Sequence, residues 1–335
     1  ERLSIRLRID GMLTEAFSPP LSLASAISSR LKVMTELDIA NRHSPQDGQT
    51  TVRIGQKKID IRMSVIPTIF GERIVLRLLD QSQTELDLDA VGMSKKLQTK
   101  LMDCVERPNG ILLVTGPTGS GKTTTLYAAL GRIDRASRNV MTIEDPVEYH
   151  LDGISQMQVN VKRGVTFATG LRSLLRQDPD VILVGEIRDP ETAQLAIQAS
   201  LTGHFVLATL HTNDAPSAIP RLLDIGVEPY LVTSSLVGVL AQRLMRRLCI
   251  ICNGAGTHEG ESCELCFGTG YKGRLAVHEL MLMNDELRQL TATRADGVTL
   301  YEAAVNSGFE PMKLDAIEKV KQGLTDEAEV FRVLH

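Results

Sequence analysis

Tryptophan is absent from this 335-residue sequence, and aromatic residues make up only 4% of it. With 43% hydrophobic residues, the interior must be built mainly from Leu, Ile, Val and Ala. No apolar run approaches the roughly 20 residues that a membrane-spanning helix needs. Strong charge imbalance is also missing, since the formal net charge is only −4. The basic stripe typical of nucleic-acid binding is therefore lacking, and we expect no nucleic-acid partner.

The start of the chain lacks two further features. It does not begin with Met, and no signal peptide is visible. Glu1 instead leads straight into a strand pattern, so we expect the chain to be part of a longer protein. Five cysteines, four of them in Cys-x-x-Cys pairs, favour a reducing compartment over a disulfide framework, and the cytoplasm is the expected location.

Residues 1–80 have the pattern of a small α/β domain. The predicted elements are strands at residues 3–10, 50–54, 58–64 and 74–79, and a helix over residues 21–40. A turn is predicted at residues 45–48, because Pro, Asp and Gly occur together there. The polar, acidic residues 81–92 that follow show no clean periodicity and are interpreted as a linker.

From residue 111 onward, short apolar runs alternate with longer helical patterns. The runs cover residues 111–115, 140–143, 181–184 and 205–210. Continuous apolar strands between helices are typical of a parallel sheet that helices cover on both faces. One helix is well marked, because Asp189 can serve as its N-cap, Pro190 suits its first turn and Gly203 follows its end. We therefore predict an α/β domain over residues 93–248.

Two segments follow this domain. Residues 249–274 are rich in Gly and Cys, interrupt the α/β pattern and are interpreted as a small inserted lobe. Residues 275–335 are helical in character and are predicted to form a C-terminal helical subdomain. The basic residues Arg243, Arg246 and Arg247, at helical spacing just before the lobe, are interpreted as a solvated face.

The most specific motif is G-P-T-G-S-G-K-T at residues 116–123, which fits G-x-x-x-x-G-K-[ST] and lies between a strand and a helix pattern, as the motif requires. Glycines let the backbone curl so that N–H groups point at phosphates, and the following helix presents its positive end. Lys122 would reach the outer phosphates, and the Thr123 hydroxyl would bind Mg²⁺. The predicted Mg-ATP site consists of Gly116, Pro117, Thr118, Gly119, Ser120, Gly121, Lys122, Thr123 and Thr124.

Carboxylates follow two of the apolar runs. Glu186 comes where a P-loop fold places its Mg²⁺ and water chemistry, and we predict that it polarises the attacking water. Glu144, with Asp145 and Glu148 nearby, is predicted to hold Mg²⁺ through water or to orient the nucleophile. The alternative is a capped turn for these three acids, and a surface acid at the end of a strand for Glu186.

Two histidines flank the run at residues 205–210. A lone histidine is more often a structural group than a catalyst, and this alternative stays open for both His204 and His211. Because His211 follows the carboxyl end of a predicted strand, we predict that it is functional. A neutral imidazole at that position could sense a γ-phosphate by hydrogen bonding.

Four cysteines form two pairs, Cys249-x-x-Cys252 and Cys263-x-x-Cys266. They supply enough thiolates for a closed tetrahedral Zn²⁺ site, and disulfides or free thiols are the alternative. A closed site of four cysteines is structural, so zinc would fold a lobe that is too small for a core of its own. The fifth cysteine, Cys104, is interpreted as buried packing.

These motifs, in this order, resemble those of secretion-superfamily ATPases of the type II secretion and type IV pilus kind, and they are especially close to the type II secretion members. The resemblance covers nearly the whole chain. Besides the P-loop, it rests on P-Q-D-G at 45–48, G-E-R at 71–73, V-L-R-L-L at 75–79, I-E-D-P-V-E at 143–148, L-R-Q-D-P-D at 175–180, G-E-I-R-D at 185–189, and the histidine segment at 202–212.

The resemblance implies a hexameric motor with a RecA-like ATPase domain, preceded by a PAS-like domain on a flexible linker. It further implies that Arg62 and Arg77 approach the nucleotide phosphates across a domain or subunit boundary, where a guanidinium can stabilise the transferring phosphoryl group. Arg176 and Arg188 are weaker candidates for this role. Without the resemblance, Arg62 and Arg77 would be interpreted as ordinary outward residues on strands.

The implied function is an ATP-hydrolysing motor that powers the export of folded proteins across the outer membrane of a Gram-negative bacterium. Its implied partners are inner-membrane platform proteins, which hold it at the membrane. A type IV pilus assembly ATPase is the alternative within the same fold. A nucleic-acid motor would need a basic channel that the composition lacks. A nucleotide-binding regulator without turnover is disfavoured by Glu186 and the two histidines.

Overall fold

The chain divides into two units, Glu1–Thr84 and Glu85–His335. The computed structural model describes residues 2–80 and 87–334. Residues 81–86, the first half of the predicted linker, lie outside the described residues.

The second half of the predicted linker is anchored to the second unit. Leu88 is fully buried in the apolar core of that unit. Asp89 accepts hydrogen bonds from Lys95 and Gln98. The prediction of a linker over residues 81–92 is therefore wrong at its C-terminal end, because apolar side chains of this polar segment, Leu88 and Val91, pack into the core of the second unit.

A hairpin and a three-stranded sheet form the first unit. Its elements are strands β1 (Ile5–Ile9) and β2 (Met12–Phe17), helix α1 (Ala24–Met34), and strands β3 (Gln46–Ile54), β4 (Lys57–Thr68) and β5 (Gly71–Asp80). β1 pairs with β2, and β4 lies between β3 and β5, with every pairing antiparallel. Helix α1 packs on this sheet, since the Thr35 hydroxyl contacts the Met63 sulfur at 3.3 Å and Lys32 pairs with Glu72.

Three details of the first unit differ from the sequence predictions. The helix predicted over residues 21–40 ends at Met34, and strand β2 has no counterpart among the predicted elements. Residues 45–48 are predicted as a turn, yet residues 46–48 open strand β3. Gly48 allows the backbone near Thr35 to pack closely against β3 and does not form a turn, because a Cβ atom at this position would lie 2.5 Å from the Thr35 carbonyl oxygen.

A seven-stranded sheet forms the centre of the second unit. The strands of this unit are β6 (Gly110–Thr115), β7 (Val140–Glu144), β8 (Ser155–Gln158), β9 (Val181–Val184), β10 (Phe205–Leu210), β11 (Leu236–Leu248), β12 (Thr257–His258), β13 (Glu261–Ser262) and β14 (Tyr271–Leu282). The order in the central sheet is β14-β11-β6-β10-β9-β7-β8, and every neighbouring pair is parallel except β11 with β14. β12 and β13 pair with each other in the cysteine-rich segment.

Helices and loops cover both faces of this sheet. In β6, Leu112 and Val114 belong to one apolar core cluster, whereas Ile111 and Leu113 belong to the other. Neighbouring strand residues point to opposite faces, so both faces are buried. The helices are α2 (Lys95–Val105), α3 (Lys122–Gly131), α4 (Phe167–Leu174), α5 (Pro190–Leu201), α6 (Ala218–Asp224), α7 (Pro229–Ser235), α8 (Asp285–Ala292), α9 (Gly297–Asn306), α10 (Met312–Lys321) and α11 (Glu327–Leu334). Across residues 2–80 and 87–334, no helix has both the length and the apolarity to cross a bilayer.

Strands β11 and β14 correct two predictions of helical structure. The basic run that includes Arg243 lies on β11, and the segment from residue 275 opens as β14 instead of a helix. The two strands pair antiparallel, from Gly238 opposite Leu282 onward. Their central residues are buried on both faces and lack the period-two alternation that marks a half-buried strand. The cysteine-rich lobe is therefore an insertion between two paired strands.

Candidate active site

The glycine-rich loop joins β6 to α3 at the carboxyl edge of the parallel strands. Gly116, Gly119 and Gly121 have positive φ angles of 146°, 81° and 84°, which other residues rarely adopt. Space is also lacking at Gly116, where a Cβ atom would lie 2.3 Å from the Gln242 carbonyl oxygen. Backbone conformation and close approach together require this glycine, and the curled loop leads directly into the first turn of α3.

Lys122 begins α3 and turns back over the loop. Its ammonium group donates to the carbonyl oxygens of Gly116 at 2.7 Å and Pro117 at 3.2 Å. Burial lowers the pKa of Lys122 to about 8, and the negative charge of Glu186 opposes this shift. The ammonium form therefore still predominates at pH 7, so the loop carries a positive charge at neutral pH.

Glu186 and His211 lie beside this lysine. Glu186 Oε2 is 2.6 Å from Arg188 Nε and 3.6 Å from His211 Nε2, and His211 Nδ1 is 3.4 Å from Lys122 Nζ. An ammonium group can only donate, so its contact requires an unprotonated Nδ1 and leaves the proton of the neutral ring on Nε2, facing Glu186. Glu186 is only 12% exposed, whereas His211 is 45% exposed. The structure thus brings three predicted residues and the weaker candidate Arg188 into one cluster.

Three neighbouring strands create this cluster, because the lysine follows β6, the carboxylate follows β9 and the histidine follows β10. The Thr209 hydroxyl donates to the Gly185 carbonyl at 2.5 Å, and the Ile187 N–H donates to the Thr209 carbonyl at 2.9 Å. On the other side of β10, the Thr212 N–H donates to the Thr115 hydroxyl at 2.8 Å. These bonds hold the loops after β9 and β10 against their neighbours.

Glu144, the other predicted carboxylate, is buried and fully engaged. Its Oε2 accepts a hydrogen bond from the Tyr127 hydroxyl, and its Oε1 accepts from the Thr142 hydroxyl at 2.6 Å and the Gln156 amide at 3.3 Å. Burial and the charge of Glu144 raise the pKa of Tyr127, so the phenol stays protonated and keeps donating. Because Tyr127 lies on α3, Glu144 ties the helix after the loop to β7 and β8.

Gln242 supports the loop, although the sequence pattern does not predict it. This residue of β11 is fully buried. Its Oε1 accepts a hydrogen bond from the Thr125 hydroxyl at 2.6 Å, and its Nε2 donates one to the Ser120 carbonyl oxygen at 2.7 Å. The available signal is one polar residue directly after the apolar run at residues 236–241. Its place beside the loop depends on strand order, which a local pattern does not contain.

The loop fits the polyphosphate of a nucleotide with its Mg²⁺. Its curl leaves no room for a side chain at Gly116, and the Ser120 hydroxyl is buried without a hydrogen-bond partner among the described residues. Thr123 and Thr124 stand half-buried on the first turn of α3, where a hydroxyl can bind Mg²⁺. Backbone N–H groups and the positive end of α3 complete an anion site.

The remaining candidates of the second unit lie outside this cluster. His204 Nδ1 contacts the Ala199 carbonyl oxygen at 2.9 Å, which ties the ring to the last turn of α5. Arg176 is exposed and donates to the Ser173 hydroxyl at 3.3 Å. Asp145 is exposed after β7. These contacts are those of ordinary structural and surface residues.

The first unit places Arg62 and Arg77 side by side. They are directly opposite each other on β4 and β5, so their side chains share one face of the sheet. Together with Asp47 and Gln49 they line a surface cavity of about 740 Å³. Two guanidinium groups at one place on the first unit are suited to a phosphate or carboxylate.

Four buried cysteines meet in the inserted lobe: Cys249, Cys252, Cys263 and Cys266, whose Sγ atoms all lie within 4.8 Å of one another. The Sγ atoms of Cys249 and Cys263 are 3.8 Å apart, and those of Cys252 and Cys266 are 3.6 Å apart. Zn–S bonds of about 2.3 Å in a tetrahedron put sulfurs about 3.8 Å apart, so four thiolates fit Zn²⁺ here. These separations are too long for disulfides. Cys104 is buried in the core, as predicted.

Strand, glycine-rich loop and helix at the carboxyl edge of a parallel-rich α/β sheet define the class of P-loop nucleoside triphosphatases. A family model described as "Type II/IV secretion system protein" matches residues 1–332 of the chain. The chain belongs to this family, and it is a P-loop ATPase.

Curated relatives are similar over almost the whole chain. The chain is 51% identical to "Type II secretion system protein E" of Pectobacterium carotovorum subsp. carotovorum. The alignment covers 99% of this chain and 70% of that relative. For "Type II secretion system ATPase E" of Vibrio cholerae serotype O1, identity is 48% over 99% of this chain and 69% of the relative. The family resemblance that the motifs predict is confirmed.

Solved structures share the fold. The pilus retraction motor PilT with bound ADP superposes with a TM-score of 0.66 at 28% identity, covering 97% of this chain and 88% of that one. The ATPase DotB of Legionella pneumophila superposes with a TM-score of 0.70 at 20% identity, covering 98% and 89%. At that identity the DotB likeness shows the fold alone. The predicted α/β class with a parallel-rich sheet is confirmed.

Proposed function

We propose that this ATPase is the motor of a type II secretion system and powers the export of folded proteins across the outer membrane. The observation that carries the proposal is the meeting of Lys122, Glu186 and His211 beside the glycine-rich loop, in a chain half identical to relatives named type II secretion system protein E. Phosphoryl transfer uses a cation and backbone amides to bind the phosphates and a carboxylate to orient water. Lys122, the loop and Glu186 supply these groups.

In this proposal, the backbone N–H groups of residue 116 and of residues 118–121 bind the α- and β-phosphates, and Lys122 moves from the loop carbonyls to the outer phosphates. The Thr123 hydroxyl holds Mg²⁺, which when bound neutralises charge on the β- and γ-phosphates. Thr124 belongs to the same helical turn, whose positive end adds to the anion site. Glu186, held at the rim by Arg188, orients and polarises the attacking water.

His211 is proposed to sense the γ-phosphate. One nitrogen of its ring faces Lys122 and the other faces Glu186, so a single neutral imidazole touches both charged groups of the cluster. Removal of the γ-phosphate changes the contacts of the lysine and, through the ring, those of the carboxylate. Glu144 is proposed to support this site, with any Mg²⁺ contact made through water, because three donors already occupy its oxygens.

Arg62 and Arg77 are proposed to complete the site by stabilising charge on the transferring phosphoryl group. Two points support this role. The two guanidinium groups share one sheet face, and residues 71–79 around Arg77 resemble the family motif. We propose that they act on nucleotide bound by the same chain or by a neighbouring copy in a hexameric ring.

The ring is proposed to work at the cytoplasmic face of the inner membrane, bound to the cytoplasmic domain of an anchor protein of the secretion platform. The names of the curated relatives support a place in a type II secretion system. We further propose that residues 1–80 are a PAS-like domain, that residues 93–248 hold the RecA-like ATPase core, and that Zn²⁺ bound by the four cysteines gives the lobe at 249–274 its fold. The geometric fit of the Sγ atoms supports the zinc.

The test of ATP use compares Lys122→Ala with Lys162→Ala, which removes an exposed lysine outside the loop. We expect Lys122→Ala to lower phosphate release by at least about 100-fold, because a buried cation at the phosphates is lost. Lys162→Ala should behave as wild type. If Lys122→Ala hydrolyses ATP normally, or if calorimetry shows no nucleotide binding by the wild type, the proposed site is wrong.

A pilus assembly ATPase is the second candidate, and the fold likeness to a pilus retraction motor favours keeping it. Deletion of the gene separates the two functions. Secreted enzymes that accumulate in the periplasm support the secretion motor, whereas loss of surface pili with normal secretion supports the alternative.

A further inference from the structure

Gln242 lies directly against the glycine-rich loop. It follows Ala241, which pairs with Thr115 at the end of β6, so β11 carries the residue to the level where the loop begins. The side chain is fully buried, and both ends of its amide are used. A carbonyl oxygen can only accept, so the contact with Ser120 identifies the donating end as Nε2 and leaves Oε1 for the Thr125 hydroxyl.

The contact with Ser120 determines how one loop peptide is oriented. The Ser120 carbonyl points toward β11, where Gln242 Nε2 donates to it at 2.7 Å. The peptide between Ser120 and Gly121 is trans. In a planar trans peptide the C=O and N–H bonds point in opposite directions. The Gly121 N–H therefore points away from β11, at the position where the loop enters α3.

Gln242 also limits the loop at two other points. A Cβ atom at Gly116 would lie 2.3 Å from the backbone carbonyl oxygen of Gln242. A Cβ atom at Gly121 would lie 2.9 Å from its side-chain Nε2. Its Oε1 holds the Thr125 hydroxyl in the first turns of α3. One residue thus touches the beginning of the loop, its last peptide and the following helix.

We propose that Gln242 is a positioning residue for the nucleotide: it orients the peptide between Ser120 and Gly121 so that the Gly121 N–H binds the α/β-phosphate region. This inference rests on the proposed ATP site. A glutamine suits the role because its neutral amide supplies one donor and one acceptor at the required length. Methionine of similar length supplies neither, and a carboxylate cannot donate to the Ser120 carbonyl.

The test measures ATPase kinetics and ADP binding for Gln242→Met, Gln242→Glu and Thr125→Val. A phosphate contact made equally in the ground state and the transition state changes KM and leaves kcat unchanged. We therefore expect both Gln242 variants to raise KM for ATP about tenfold, with kcat within about threefold of wild type. Thr125→Val keeps the Ser120 contact and should raise KM by no more than about twofold.

A second readout is the ³¹P resonance of the β-phosphate of bound ADP. It should shift in both Gln242 variants and stay at the wild-type position in Thr125→Val. A merely structural role lowers the folded fraction, which reduces the apparent kcat and leaves KM and the resonance unchanged. Gln242→Glu keeps the length and the bond from Thr125, so it provides the same readout if Gln242→Met yields little folded protein.

The inference is wrong if both Gln242 variants keep the wild-type KM and ³¹P position, or if Thr125→Val changes KM as much as they do. Failure of the proposed ATP site gives a different result, because the wild-type protein itself would then bind no ADP. Each outcome is therefore assigned to one of the two proposals.

Discussion

The glycine-rich loop at residues 116–123 and the inserted lobe at residues 249–274 are held in shape by different means. The loop rests on a large core, since the strands on either side of it are buried and Gln242 bonds to its backbone. The lobe has four cysteines as its buried cluster, with one partly buried leucine packed on them. A core of that size orders a segment poorly by apolar burial, which agrees with the proposal that Zn²⁺ bound by the four cysteines gives the lobe its fold.

One strand, β11, contributes to both regions. β11 carries Gln242 beside the loop and ends at Leu248, directly before the first cysteine. Near that end, Arg246 forms an ion pair with Glu329 of α11 and lies over the ring of Tyr271 at 3.8 Å. The protein fold preforms the nucleotide site, whereas the lobe is proposed to depend on Zn²⁺. Changes at the two places should therefore have separable effects.

The largest expected effect is at the nucleotide site. Glu186→Gln should lower turnover by about 10²- to 10⁴-fold, because the amide cannot act as a base toward water. Nucleotide binding, measured by calorimetry, should stay near wild type, and zinc content should not change. Glu106→Gln, at an exposed glutamate, is the matched control. Unchanged phosphate release in Glu186→Gln would remove the catalytic assignment.

A smaller loss of rate is expected from the first unit. Arg77→Ala should lower kcat by about 10- to 100-fold, the value of one or two charge-assisted hydrogen bonds, with a smaller change in nucleotide affinity. Single-turnover kinetics and binding measurements test the difference. Arg53→Ala, an exposed arginine on β3, controls for lost surface charge. Equal losses in rate and affinity for Arg77→Ala would count against a transition-state role.

The lobe should respond to cysteine substitution without a comparable effect on nucleotide binding. Cys249→Ser removes one of four thiolates, and elemental analysis should show zinc falling from one ion per chain to near zero. Cys104→Ser, at a buried cysteine outside the cluster, should keep the metal. Stoichiometric zinc in Cys249→Ser would contradict the four-cysteine site, and loss of ADP binding would contradict the independence of the two regions.

The smallest effect is expected at the ion pair near the base of the lobe. Burial would raise the pKa of Glu329, but Arg332 and Arg246 outweigh it and lower that pKa to about 2. A folded-state pKa below the unfolded value of about 4.3 stabilises the protein above that value, and this stability is lost as the pH falls toward 2.

Glu329→Gln should therefore lower the free energy of unfolding by about 2 kcal/mol at pH 7 and by roughly half as much near pH 3. Urea denaturation of both proteins across this range measures the difference. Glu327→Gln, at an exposed position of the same helix, is the control. A difference between Glu329→Gln and wild type that does not change with pH would exclude the ion pair as its source.

By itself, the sequence determined the local features of this protein. Residues 116–123 specify the loop, because three glycines that can take positive φ occur within six residues, directly before the lysine. Each of the four apolar runs became a strand, since a continuous run of this length between helices has few other places to be buried. The spacing of the cysteines likewise placed four sulfurs within reach of one ion.

Only the tertiary structure decided which distant residues meet. The contact of His211 with Lys122, and that of Gln242 with Ser120, depend on β6 lying between β10 and β11. Strand order is set by the packing of the whole sheet, so no local pattern contains it. The local spacing of residues in β11 and β14 is equally compatible with a helix. They are strands because their pairing with each other buries these residues.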